Sequence, residues 1–250
     1  MDVNETLSKM SISCSFRKVV VLTKKVLLSW SSGKDCAWAL HILKQQQEYE
    51  VVGLFSTLNE EYNRVAMHGV REVLVKKQAE AASLPLEIIY IPNPCSHEDY
   101  ERVMGEFVAR AKIQGIEYFA FGDLFLEDIR KYREEKLKDT GIKALFPVWG
   151  VPTRELSQQM IDAGLKAKIT CIDLKHLPNR FAGMEFGQAM LNELPTGVDP
   201  CGEYGEFHSF AYEGPMFSRS IAISVAEVVE RDGFVFADVL PDDNIERLIG

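Results

Sequence analysis

The chain has 250 residues, enough for one large domain or two small ones, each with its own core. Hydrophobic residues make up 46% and charged residues 26%, ordinary values for a globular protein. The formal net charge of −9 disfavours broad nucleic-acid binding, though it allows a local basic pocket.

Residues 1–24 read either as a loosely attached extension or as the result of a misplaced start codon. The apolar run at 19–28 is broken by Lys24 and Lys25 and has no small-residue cleavage site after it. It is also too short for a membrane span, so neither a signal peptide nor a membrane anchor is expected, and the location is expected to be cytoplasmic. The segment 25–29 suits a buried strand, polar loop residues follow, and 37–44 has helical spacing. Strand 51–55, a helix over about 65–82 and strand 86–91 come next. Ser96 with Asp99 three residues on predicts a helix N-cap, and Tyr100, Val103, Met104, Phe107, Val108 and Ala111 then fall on one face up to Gly115. A fourth strand at 117–121 ends at Gly122-Asp123, and a charged helix spans about 126–138. Strands alternating with helices predict a parallel sheet wrapped on both faces.

The pattern changes near Phe146, where Pro147, Gly150 and Pro152 break the chain. A helix at 153–163, a strand at 166–172 and a hairpin of 221–225 with 234–239 around Asp232-Gly233 follow. The expected organisation is therefore an extension (1–24), an α/β nucleotide domain (25–146) and a smaller α+β substrate domain (147–250). The five cysteines (Cys14, Cys36, Cys95, Cys171, Cys201) form no C-x-x-C pair, which removes the usual thiolate metal and redox motifs.

Between the first strand and helix lies Ser31-Ser32-Gly33-Lys34-Asp35-Cys36. A small, hydroxyl-rich loop before a helix is an anion site, with backbone N–H groups and the helix N-terminus aimed at the ligand. Gly33 allows close approach, Ser31 and Ser32 offer hydroxyls and Lys34 adds charge. Asp35 either caps the helix or helps hold Mg²⁺. The loop is not a Walker A motif: Leu28 stands where that pattern needs glycine, and Asp35 where it needs Ser or Thr. Ligands of such sheets bind beyond the strand carboxyl ends, which collects Ser31 to Asp35, Phe55-Ser56-Thr57 and Gly122-Asp123.

The loop resembles the PP-loop, Ser-Gly-Gly-x-Asp-Ser, of ATP pyrophosphatases, with Ser32 and Cys36 off the pattern. Together with Phe121-Gly122-Asp123, Tyr132-Arg133, Trp149 and the stretch Asp199-Pro-Cys-Gly-Glu-Tyr-Gly-Glu-Phe-His208, it is similar to the diphthine–ammonia ligase family over about residues 25–223. The run Asn63-Arg64-Val65-Ala66-Met67-His68-Gly69-Val70 resembles the family's bacterial-type branch. The resemblance implies a HUP-type α/β domain, ATP and Mg²⁺, and a ligation in two steps. A small-molecule or protein-borne carboxylate attacks the α-phosphate, releasing pyrophosphate, and ammonia, supplied as free ammonium, then displaces AMP. Lys34 and Asp123 are the expected catalytic partners of the phosphates, and Glu203 and Glu206 those of ammonium. Phe55, Ser56, Cys36 and Gly122 join the loop as nucleotide contacts. Arg64, His68, Arg133, Trp149, Gly202 and His208 are the candidate substrate contacts. Five of them also have a plainer reading: Arg64 and His68 as a surface pair on one helix face, Arg133 as a solvated residue, Trp149 as core and His208 as a packed strand residue. An adenine-nucleotide sensor and a nucleotide α-hydrolase stay open as alternatives, and so does a homodimer.

Overall fold

Val26, Leu27 and Leu28 are all buried, the mark of a central strand covered on both faces. In the computed structural model, which describes residues 23–65 and 68–242, they form β1 (Lys24–Ser29). β1 pairs in parallel with β2 (Tyr49–Asn59) on one side and with β5 (Tyr118–Ala120) on the other. β4 (Leu86–Ile91) extends the sheet beyond β2, and β6 (Lys143–Leu145) extends it beyond β5, again in parallel. The strand order therefore reverses at β1, the topological switch point beyond which such sheets bind ligand.

Side chains alternate across the sheet and fill two layers. Val26 and Leu28 face α1 (Lys34–Gln45) and α2 (Glu72–Ala82), while Leu27 and Phe55 face α3 (His97–Ile113) and α4 (Glu127–Leu137). Phe107 and Leu137 close that second layer. The Ser96 hydroxyl accepts the Asp99 N–H at 3.0 Å and so caps α3 as expected. After α5 (Thr153–Asp162) comes a four-stranded antiparallel sheet in the order β8-β7-β10-β9. Its strands are β7 (Lys166–Asp173), β8 (Phe207–Glu213), β9 (Ile223–Arg231) and β10 (Phe234–Pro241), with α6 (Gln188–Glu193) between β7 and β8. The first apolar layer runs on into this sheet through Ile169, Phe210 and Val235. The architecture is α/β of HUP type with a smaller α+β unit after it.

Four features differ from the sequence expectation. The helix expected from about residue 65 starts at Glu72. Gly69 has φ +66°, which breaks a helix there, and β3 (Arg64–Val65) instead pairs antiparallel with the end of β2. β2 runs on to Asn59 because β4 supplies it with hydrogen-bond partners as far as Ile91. β6 has three residues, too few to show a period. β9 reaches Arg231, since Asp232 and Gly233 both take positive φ and make the tight turn directly after it. Of the N-terminal extension, residues 1–22 lie outside the described residues. No described helix is long and apolar enough to cross a membrane.

Candidate active site

Two adjoining compartments open beyond the carboxyl ends of β1, β2 and β5. The larger, about 620 Å³, is walled by Phe55 and Phe119 from the sheet, Met104 and Val108 from α3 and Leu137 from α4. Ser56 lies on its wall, 2% exposed, and its hydroxyl has no partner. The smaller compartment, about 240 Å³, is polar and is lined by Lys34, Asp35, Asp123 and Glu203. Ser29, Ser31, His68, Phe121, Arg133 and His208 line both and mark where they join.

Gly33 is the N-cap of α1, so Lys34, Asp35 and Cys36 form its first turn rather than the end of a loop. Asp35 is thus not the cap. Its carboxylate is held by Lys34 Nζ at 2.9 and 3.1 Å, which also donates to the Cys201 carbonyl. Lys34 is 1% exposed; burial works against its charge, but the Asp35 carboxylate together with Cys201 and Glu203 offsets this and keeps the ammonium protonated. The Lys34 N–H donates to the Ser209 hydroxyl at 3.1 Å. Gln78 binds the loop from below: its amide donates to the Ser32 and Ala211 carbonyls and accepts from Trp30 Nε1. A Cβ on Gly122 would lie 2.8 Å from Cys36 N and 2.9 Å from the Asp35 carbonyl carbon, so the end of β5 meets α1 backbone to backbone. Burial pushes the Cys36 thiol up to about 11, and its sulfur donates to the Gly33 carbonyl.

Ser32 departs most from its expected role. It sits at φ +71°, the left-handed region that favours glycine, and it is completely buried. Its hydroxyl meets no partner and lines neither compartment. The expected hydroxyl contact from Ser32 to the ligand is therefore not seen: the chain holds the residue at positive φ with its side chain turned inward.

In the Gly-Glu-x-Gly-Glu element the two carboxylates part company. Glu206 is 2% exposed and braces its own loop, accepting the Asp199 N–H at 2.9 Å and the Tyr204 N–H at 3.0 Å. Glu203 reaches into the smaller compartment and accepts the Leu124 N–H at 2.8 Å. Burial pushes Glu203 up to about 7 against that hydrogen bond, with Asp35 and Asp123 adding to the rise. Gly202 has φ +71°, and a Cβ there would lie 2.8 Å from the Phe207 carbonyl oxygen, so its part is to shape the turn.

His68 and His208 face each other with ring centroids 4.6 Å apart. His68 packs on Gly33 and donates from Nδ1 to the Ser209 carbonyl at 3.2 Å. Arg133 lies over the Phe121 ring and beside Asp123, 3.4 Å away. Arg64 and His68 share no helix face: Arg64 turns away to Asp238 on β10, and Arg71 holds the same carboxylate. Trp149 stacks on Arg130 and lines neither compartment. Sequence reading missed Ser209 and Gln78, which lie 175 and 46 residues from their loop partners. Neither belongs to a local pattern. Tyr100 and Lys112 on the larger wall were likewise missed, whereas Thr57, collected from the end of the second strand, does line it.

Comparison with known proteins matches residues 24–144 to the diphthamide synthase N-terminal domain and residues 152–238 to the diphthamide synthase C-terminal domain. The diphthine–ammonia ligase of Danio rerio is 28% identical over 174 residues, 66% of this chain and 66% of the relative. That of Bos taurus is 29% identical over 151 residues, 57% of this chain and 54% of the relative. That of Schizosaccharomyces pombe is 32% identical over 102 residues, 39% of this chain and 17% of the relative. The chain thus spans between about a sixth and two thirds of the length of these curated relatives.

Proposed function

The chain belongs to the diphthamide synthase family, and on that premise we propose that it is an ATP-dependent ligase that joins ammonia to a carboxylate, releasing AMP and pyrophosphate. The observation that carries this reading is the pair of compartments, one apolar and one polar, meeting at Ser29, Ser31, Arg133 and the two histidines. A nucleoside suits the first and a pyrophosphate the second, so the α-phosphate falls at the junction. The unpartnered Ser56 hydroxyl gives a nucleoside a buried hydrogen-bond partner. Residues 25–146 would hold the nucleotide and residues 147–250 would close over it and bind the acceptor.

Among the described residues no cluster of three His, Cys, Asp or Glu is placed to hold a metal ion. Magnesium would arrive with the phosphates. Lys34 holds Asp35 at 2.9 and 3.1 Å, closer than Arg133 stands to Asp123 at 3.4 Å, which favours Asp123 over Asp35 as its protein contact. The ion would offset phosphate charge.

The residues of the chain then divide the work. The N-terminus of α1 and Arg133 face the phosphates. Lys34 keeps Asp35 neutralised and ties α1 to the Glu203 loop. Ammonium must lose a proton before its nitrogen can attack. A carboxylate raised to about 7 is a stronger base than an ordinary one, so Glu203 is the group suited to take that proton. Glu206 holds the loop that presents it. The free thiols Cys36, Cys95, Cys171 and Cys201 fit a reducing, cytoplasmic setting.

The test is product analysis with ATP, Mg²⁺, ammonium and a pool of carboxylates. AMP and pyrophosphate, formed only with ammonium and a carboxylate, support the ligase. AMP without that dependence indicates an α-hydrolase, binding without turnover a sensor, and ADP with phosphate defeats the reading.

A further inference from the structure

Resting on the nucleotide reading above, one pair of residues at the junction carries a more specific role. A bound nucleotide's α-phosphate joins nucleoside to pyrophosphate, so it must lie where the two compartments join. His68 and His208 line both. The Ser209 carbonyl can only accept a hydrogen bond, so His68 Nδ1 carries the hydrogen and Nε2 of the neutral ring is a bare lone pair. A lone pair repels a phosphate oxygen. His208 Nε2 is buried and has no partner.

We propose that the His68–His208 pair is an α-phosphate-binding element that takes up one proton as the nucleotide enters, at His68 Nε2. The proton comes from solvent, no bond to carbon or phosphorus changes, and the phosphate is met by two N–H donors beside Arg133. The charged groups around the pair fit this change. Lys34 and Asp35 on α1 neutralise each other, and Asp123 faces Arg133 of α4. On the far wall Glu101 of α3 is paired with Lys136 of α4 at 2.6 Å, and Lys112 is the remaining cation there. On the polar side burial favours the protonated form of Glu203 and, against the pull of Lys34, of Asp35 as well. Without a ligand the pair is neutral: burial pushes His68 down to about 3, with His208 and Lys34 adding to it, and burial and Lys34 push His208 down to about 4. An incoming phosphate reverses the balance, because it supplies the opposite charge and a charge-assisted hydrogen bond.

The experiment is calorimetric titration with α,β-methylene-ATP and Mg²⁺ between pH 5.5 and 6.5, above the free His68 value of about 3, in buffers of different ionisation enthalpy. Glu203→Gln serves as the background, so that its carboxyl does not contribute. Uptake of about one proton per nucleotide is expected, with affinity falling about tenfold per pH unit as linkage requires. His68→Asn keeps a side-chain N–H for the Ser209 carbonyl but cannot be protonated, so uptake should drop to near zero and affinity should lose its pH dependence. Imidazole ¹⁵N shifts in the unmutated protein, which has five histidines, should move His68 Nε2 from a lone-pair to an N–H position when the nucleotide is added. Nucleotide binding with unchanged uptake in His68→Asn, or with no shift at Nε2, overturns the histidine assignment alone. Absence of nucleotide binding overturns the nucleotide reading and this assignment with it.

Discussion

Replacing Ser32 with glycine should make the protein more stable, although the serine is fully buried in the centre of the loop. Two unfavourable features would disappear. A non-glycine residue at φ +71° costs about 1–2 kcal/mol, and a buried hydroxyl without a partner costs about 1–3 kcal/mol. Glycine returns about 0.5–1 kcal/mol of this through the greater freedom of the unfolded chain. Taking the lower end for the hydroxyl leaves a net gain of about 1–2 kcal/mol. For a chain of this size that is a rise in Tm of about 2–8 °C. Urea unfolding and calorimetry would both read it. The hydroxyl lines neither compartment, so nucleotide affinity should change by less than about twofold, under about 0.5 kcal/mol. An unchanged or lowered midpoint would refute the left-handed strain, and a large loss of affinity would show that the hydroxyl reaches the ligand after all.

Gly122→Ala forces a Cβ to within 2.8 Å of Cys36 N and should cost about 1–3 kcal/mol in urea unfolding, with weaker nucleotide binding because β5 and α1 must part. Gly105→Leu behaves differently: a Cβ there meets open space on the larger compartment's wall, so nucleotide affinity should fall about tenfold or more while the unfolding midpoint holds or rises. Glu206→Ala removes two N–H partners and should destabilise by about 2–5 kcal/mol, with faster amide exchange at Tyr204, whereas Glu206→Gln should keep roughly half of that. Glu203 acts as a base only when deprotonated, so ligation should rise with pH through about 7, and Glu203→Gln should remove that limb. Its raised pKa also means that the folded chain holds this proton more tightly than the unfolded one. The stability it contributes is present below the ordinary glutamate range and is lost as pH rises through about 7, a loss absent from the Gln variant.

Much of this protein follows from local sequence. The alternation of apolar runs with helical spacing specifies a wrapped parallel sheet, because strand and helix periods depend on near neighbours alone. The Ser96 cap and the Asp232-Gly233 turn are local for the same reason. The loop at Ser31 to Cys36 and the distant Gly-Glu-x-Gly-Glu element carried the family by type and spacing. Tertiary structure alone decided what each residue of those motifs does. It turned Ser32 inward at positive φ, bound Lys34 to Asp35 and Cys201, and separated Glu203, facing the cleft, from Glu206, which braces a turn. It also swung Arg64 to Asp238 and brought His68 against His208 across 140 residues of chain. The physical reason is that a side chain's role depends on which groups surround it and how much water remains. Both are settled by contacts between residues far apart in the chain, which no local pattern encodes.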